Sequence, residues 1–185
     1  MRFRKWTALR RLRVFGAPIY VHWSVFAAVL VLASLSIDSP IDAAVAVASY
    51  IAIIVIHEFG HAYVARRRGC EVLSIRIAFL HGQCEHEATG CEWDEAAIAW
   101  GGVLAQLLIA VPILTLAAVF NRSNFGYADP AIVFLGYLNL VMALLNLAPV
   151  APLDGATAWR IIPLLRYKRS SRSAKERAQR RWKSK

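Results

Sequence analysis

The chain has 185 residues, is 58% hydrophobic and carries a formal net charge of +10, with a mean hydropathy of +0.45. Soluble globular domains rarely combine those values, and nucleic-acid binding accounts for basic ends but not for an apolar middle. Apolar spans with basic ends facing anionic lipid headgroups account for both, and three cysteines, Cys70, Cys84 and Cys91, speak against a closed disulfide framework.

In chain order, six basic residues open the sequence (Arg2, Arg4, Lys5, Arg10, Arg11, Arg13), followed by an apolar stretch with no clear cleavage pattern, which predicts an uncleaved first span. Four segments are long enough to cross a bilayer, a task that takes about 20 helical residues. They are Ile19–Ile37, Ala43–Ala65, Ala96–Phe120 and Ala131–Val150. The connection 66–95 is the longest, and partial alternation over Cys70–Leu80 predicts a strand at the membrane surface. Arg66, Arg67 and Arg68 follow span two and eleven Lys and Arg lie from Arg160 onward, whereas the two short loops on the other side hold only Arg122. The positive-inside rule therefore places both termini and the 66–95 loop in the cytoplasm, and Trp23, Trp93, Trp100 and Trp159 map near that interface. The expected fold is an all-α polytopic membrane protein of about four transmembrane helices, with a short membrane-associated strand and loop region between helices two and three. Residues 1–18 form a basic cytoplasmic N-terminus, 19–165 the membrane domain and 166–185 a basic cytoplasmic tail, flexible or lying on the headgroups.

Near the end of span two stands His57-Glu58-Phe59-Gly60-His61. On a helix, residues i and i+4 are about 40° apart around the axis and ~6 Å apart along it, so both imidazoles can reach one tetrahedral ion. Glu58 sits beside them, placed to take the proton of an attacking water. Three ionisable side chains within five residues of an apolar span are costly unless they serve a function. Two histidines that merely bonded other helices would leave Glu58 unexplained.

A catalytic Zn²⁺ needs a third protein ligand and an open position. Asp154, in the segment Asn146–Gly155, is the candidate. Spans two and four run in the same direction, which brings Asp154 to the level of the histidines, and Pro149 and Pro152 break the helix so that it can turn inward. The alternative is that Asp154 caps a following helix over Gly155–Leu165.

These elements together resemble the site-2 protease family of intramembrane zinc metalloproteases. The resemblance rests on HEFGH and on Asn146–Gly155, similar to the family's Asn-x-x-Pro-x-x-Pro-Leu-Asp-Gly element. It rests also on Ala99–Gln106, similar to the small-residue opening of the third core helix, and on Phe15–Ser24, similar to the entry to the first. It covers about residues 15–160. It implies zinc-dependent hydrolysis of peptide bonds within the membrane, with single-span proteins as substrates, often already trimmed by another protease. By motif position, His57, His61 and Asp154 bind the zinc and Glu58 is the general base. Asn146 positions substrate or the developing oxyanion, or makes an interhelical hydrogen bond, and Gly101 and Gly102 allow close packing on the catalytic helix. An integral multi-pass protein of a bacterial cytoplasmic membrane follows. The sequence departs from the family in holding four spans where several members have six, in holding no PDZ insert, and in its loop at 81–91.

That loop carries His81, Cys84, His86 and Cys91, types that suit a second, structural Zn²⁺, although the spacing is not that of a standard finger and an ordinary covering loop accounts for it as well. His22, at the start of span one, reads as an interfacial histidine. Three functions compete: the protease, in which the strand near Cys70–Leu80 pairs with an unwound substrate by β-augmentation; a non-proteolytic metal-binding membrane scaffold or transporter, which has no need of Glu58; and a degenerate family member acting as an adaptor.

Overall fold

The computed structural model describes residues 6–35, 39–79, 82–120 and 130–170. His81, Arg122, the first five residues and the tail beyond 170 lie outside the described residues. Two strands open the chain, β1 (Trp6–Val14) and β2 (Ala17–His22), followed by helices α1 (Trp23–Leu35) and α2 (Pro40–Arg67). Strands β3 (Val72–Ile77) and β4 (Gly82–His86) precede helix α3 (Glu92–Val119). A π-helical stretch, Ile132–Leu138, runs directly into α4 (Asn139–Asn146), and a short α5 (Gly155–Ala158) leads to a further helical segment at 161–170.

Among the described residues, the two 28-residue helices α2 and α3 are the ones long and apolar enough to cross a membrane. At 1.5 Å per residue each extends about 42 Å, beyond the ~30 Å of a hydrocarbon core. Helix α2 starts where its sequence dictates. Pro40 occupies the first turn, where its missing N–H leaves nothing unpaired, and the Ser39 side chain accepts from the Asp42 amide at 3.4 Å. The other two expected spans are shorter as described: α1 has 13 residues, and Ile132–Asn146 is apolar but belongs to the shorter class as well.

The sheet is the main departure from the sequence reading. Instead of one strand between helices two and three, four strands pair in the order β1-β2-β3-β4. β1 and β2 form an antiparallel hairpin, β2 runs parallel to β3, and β4 is antiparallel to β3. The hairpin turns through Phe15 and Gly16, both at positive φ (51° and 87°), as a two-residue turn between right-twisted strands requires. Ile19–His22 is therefore strand and not the start of span one. A short apolar run bounded by turn residues suits a buried strand as well as a helix, and periodicity does not separate them. In β2, Ala17 and Val21 are buried and join Val72, Ile75 and Ile77 of β3 against Tyr50, Ile54, Ala62 and Ala65 of α2. The sheet is thus a platform under the second half of α2. Because β3 is paired on both sides, it has no free edge for a substrate; among the described residues the open edge near α2 belongs to β4.

Helix α3 packs against α2 through glycines. A Cβ on Gly60 would meet the Gly101 carbonyl oxygen, and one on Gly101 would meet the Gly60 carbonyl oxygen at 2.6 Å. Small residues permit this approach where apolar lipid supplies no hydrophobic drive between helices.

Candidate metal centre

The centre is assembled from α2, α3 and the turn after α4. Helix α2 presents His57, Glu58 and His61, all buried inside an apolar environment. Helix α3 fixes the two imidazoles. His57 Nδ1 pairs with Gln106 Oε1 at 3.0 Å, and His61 Nδ1 pairs with the Ile98 carbonyl oxygen at 2.8 Å. A carbonyl oxygen only accepts, so Nδ1 of His61 carries the hydrogen; the amide oxygen of Gln106 fixes His57 in the same tautomer. Each neutral ring then turns a bare Nε2 lone pair inward. The rings stand perpendicular, at 90° with centroids 4.5 Å apart, and the two Nε2 atoms are 3.0 Å from one another. Gly102 makes this arrangement possible, since a Cβ there would meet Nε2 of His61 and, at 2.7 Å, Cε1 of His57. Gly102 therefore keeps the space of the imidazoles clear, where the sequence reading gave it a packing role alone.

Asp154 arrives from the turn 147–154. Its Oδ2 lies 3.0 Å from His57 Nε2 and 3.3 Å from His61 Nε2. It occupies the N-cap position of α5, yet its side chain makes no capping hydrogen bond. The carboxylate faces the two histidines instead. The turn is held by two tryptophans: Trp159 Nε1 donates to the Leu147 carbonyl at 2.6 Å, and Trp100 Nε1 donates to the Ala158 carbonyl at 3.1 Å. Their rings meet edge to face, centroids 5.4 Å apart. Gly155 lies against the Leu147 and Ala148 carbonyls, where any Cβ would collide. The Ala151–Pro152 peptide in the same turn is cis.

Nε2 of His57, Nε2 of His61 and the Asp154 carboxylate lie within 4.8 Å of one another, and they form the one group of three or more metal-ligating side chains among the described residues. Three acceptors facing each other at these distances repel unless a cation lies among them. Two neutral imidazoles and a carboxylate are also the donor types of a catalytic zinc site, so the residues fit a zinc ion. Glu58 stands beside this set, 2% exposed, with Oε2 lacking any hydrogen-bond partner. The backbone of Gly82 in β4 covers its carboxylate so closely that a side chain at that position would collide with it.

Two cavities meet at the cluster. One, of about 240 Å³, is lined by Glu58, His61, Cys84, His86 and Glu95; the other, of about 420 Å³, by Gln106, Met142 and Asn146; His57 and Asp154 border both. Asn146 Nδ2 lies 3.5 Å from His57 Nε2. The structure thus brings Asn146 to the site, together with Glu58, His57, His61 and Asp154.

The loop residues separate. Cys84 lies in β4 and borders the site, with its thiol pushed up to about 12 by burial, then by the charges of Glu58 and Glu85. His86 Nδ1 donates to the Glu87 carbonyl at 2.8 Å, and Cys91 is exposed at the N-cap of α3. All three cysteines are free, and among the described residues Cys84, His86 and Cys91 form no metal-ligating group: Cys84 and His86 line the cavity at the site, whereas Cys91 stands exposed at the start of α3. His81 lies outside the described residues. His22 pairs with Ser24 Oγ at 2.8 Å and packs on Trp6 and Trp23, away from the centre.

Two residues of the site carry no role in the sequence reading. Gln106 is 1% exposed and orients His57; Asn139 is fully buried and donates to the Gln106 carbonyl at 3.1 Å. The signal was available, since an amide side chain within an apolar span needs a partner there.

Comparison with known proteins agrees with this geometry. Residues 45–131 match the family described as Peptidase family M50. A zinc metalloprotease of Methanocaldococcus jannaschii is 29% identical over 161 residues, covering 86% of this chain and 47% of that protein. Rip3 of Mycobacterium tuberculosis, provisionally named a zinc metalloprotease, is 33% identical over 159 residues, covering 78% of this chain and 34% of its own length. The chain therefore spans about half the length, or less, of these relatives. The solved structure of a site-2 protease from Methanocaldococcus jannaschii superposes with a TM-score of 0.67 at 28% identity, covering 87% of this chain and 74% of that one. Taken with this match, the two apolar helices α2 and α3 mark an integral membrane protein.

Proposed function

We propose that the chain is a member of the site-2 protease family and works as an intramembrane zinc endopeptidase acting on transmembrane segments of single-span membrane proteins, a reading supported by its similarity to peptidase family M50 and to a solved site-2 protease. The observation that carries the reading is a buried, unpartnered carboxylate, Glu58, beside three convergent metal-ligating side chains in a membrane-length helix.

His57, His61 and Asp154 hold the zinc. When bound, Zn²⁺ supplies a Lewis acid that polarises a peptide carbonyl and makes water a nucleophile near neutral pH. Glu58 takes the proton from the attacking water and delivers it to the departing amine nitrogen, so that one carboxylate serves as base and then acid. Its lack of any protein hydrogen-bond partner leaves Oε2 free for that proton. Asn146, on the far side of His57, donates from Nδ2 to the scissile carbonyl oxygen as negative charge grows there. Gln106 and the Ile98 carbonyl keep both imidazoles in the ligating tautomer.

A transmembrane helix shields its amides and must unwind before cleavage. The open edge of β4 lies directly over Glu58 and offers backbone hydrogen bonds to an extended segment. In this reading α1 and the 132–146 helix cross the membrane with α2 and α3, the termini and the 66–95 loop face the cytoplasm of a bacterial cell, and the basic ends meet anionic headgroups.

The test is zinc content together with cleavage of a single-span substrate in wild type and Glu58→Gln. The protease reading expects equal zinc and no turnover in the variant; unchanged cleavage sinks it. A metal-binding scaffold or transporter leaves the buried Glu58 without purpose.

A further inference from the structure

The catalytic centre borders a cavity whose outer wall is built from β4 and the first turn of α3, and two of its lining groups have no part in the chemistry proposed above: His86 and Glu95. Glu95 is held in place on one side only. Its Oε1 accepts from the Thr89 amide at 3.2 Å and from the Thr89 hydroxyl at 2.9 Å. Its Oε2 faces Nε2 of His86 at 4.0 Å, beyond hydrogen-bond distance. His86 spends its Nδ1–H on the Glu87 carbonyl, so in the neutral ring Nε2 is an acceptor. Two acceptors therefore face one another across a gap, and neither supplies the hydrogen that the other needs.

The neighbouring carboxylates differ. Glu85 has Arg76 at 2.9 Å and Asp94 has Arg68 at 3.0 Å. Glu95 has no such arginine or lysine among the described residues, and no lysine or arginine lines the cavity. The wall of the cavity is thus short of a cationic donor at one defined place, and an ammonium group, which carries donors alone, is the chemical complement of two neighbouring acceptors. The location fits the same chemistry. Histidines 57 and 61 lie toward the end of α2 that carries Arg66 and Arg67, and membrane segments carry an excess of lysine and arginine at their cytoplasmic flank. A segment drawn toward Glu58 from the bilayer brings those residues to this wall.

We propose that Glu95 and His86 form a subsite for a lysine side chain at the cytoplasmic flank of the substrate, and that this subsite sets which part of a transmembrane segment is cut. The proposal rests on the protease reading above. Thr89 is a positioning residue for Glu95.

The experiment uses the full chain, zinc-loaded, in detergent micelles, with two synthetic single-span peptides that differ only in carrying lysines or glutamines at the cytoplasmic flank. Wild type is expected to favour the lysine peptide about tenfold in kcat/KM, the range of a half-desolvated charge pair, with the preference shrinking as salt rises. The lysine-to-glutamine ratio falls to about one in Glu95→Gln, and Glu95→Lys favours a glutamate-flanked peptide instead. A ratio, unlike a rate, is not moved by a general loss of fold or activity. A wild-type ratio near one, or a ratio that survives Glu95→Gln, overturns the subsite. Binding of the same two peptides to Glu58→Gln is measured in parallel: equal affinities overturn the subsite even without turnover. A binding preference that disappears in the Glu58→Gln/Glu95→Gln double variant supports it, and if wild type then cleaves neither peptide the protease reading alone fails.

Discussion

His57 Nδ1 donates to Oε1 of Gln106 across 3.0 Å, from α2 to α3, with Gln106 itself anchored because Asn139 donates to its backbone carbonyl. The His57 nitrogen that faces the candidate centre is therefore set by an amide on a second helix that is braced by a third. Outer-shell partners of this kind typically govern about 10–100-fold in metal affinity. Gln106→Leu is expected to weaken zinc binding by about that factor, and Gln106→Glu, which keeps an acceptor for Nδ1–H, to fall between the two. Chelator competition reads it, and an unchanged zinc affinity in Gln106→Leu would contradict the role.

The two adjacent glycines of α3 separate packing from chemistry. Gly101 faces the Gly60 carbonyl and Gly102 faces the imidazoles. Gly101→Ala pushes two helices apart and is expected to cost about 1–3 kcal/mol of stability, seen as a lower Tm in detergent. Gly102→Ala is expected to abolish zinc binding at a far smaller loss of stability, because the histidine rings swing aside more easily than a helix moves. Equal effects of both substitutions on Tm and on zinc would refute the distinction.

The site was more legible in the sequence than the fold around it. HEFGH and Asp154 could be joined because a helix has a fixed period and a topology rule gave both segments a direction, so depth followed from charge counts. Neither argument reports on strands. Trp6–Val14 was read for its arginines, and Ala17–His22 for its hydropathy; their pairing to each other and to β3 depends on a long-range parallel register that no local pattern carries. The same gap hid which strand has an open edge, since that depends on all of its neighbours: β3 lies inside the sheet and β4 at its margin. Asp154 shows the converse case: ligand and cap are balanced on the local segment, the presence of HEFGH favours the ligand, and the structure sets the carboxylate 3.0 and 3.3 Å from the two histidines.

Cys84 gives a test of the shielding by β4. Burial, then Glu58 and Glu85, hold its thiol near 12, whereas Cys91 is exposed. The thiolate is the reacting species, and a raised pKa lowers its fraction about tenfold for each pH unit below 12. Maleimide at pH 7 is therefore expected to label Cys91 first and Cys84 slowly, with the Cys84 rate rising about tenfold per pH unit from 7 to 10. Mass spectrometry of the labelled peptides checks it. Fast labelling of Cys84 at pH 7 would mean that β4 does not close over the centre.

Asp154 allows the ligand and cap roles to be separated by substitution. Serine and asparagine are both good N-cap residues, so Asp154→Ser and Asp154→Asn preserve whatever capping of α5 the position offers. Both remove the carboxylate whose Oδ2 meets the two histidines at 3.0 and 3.3 Å. If the carboxylate is a ligand, both variants lose zinc affinity by about tenfold or more. Each tenfold loss takes about 1.4 kcal/mol from the stabilisation that saturating zinc confers, because binding to the folded state alone adds RT ln(1 + [L]/Kd). The measurement is the difference in Tm with and without zinc, compared across wild type, Asp154→Asn and Asp154→Ser. A ligand shrinks that difference in both variants while α5 stays formed. A cap leaves the difference intact, and that outcome would remove Asp154 from the metal centre.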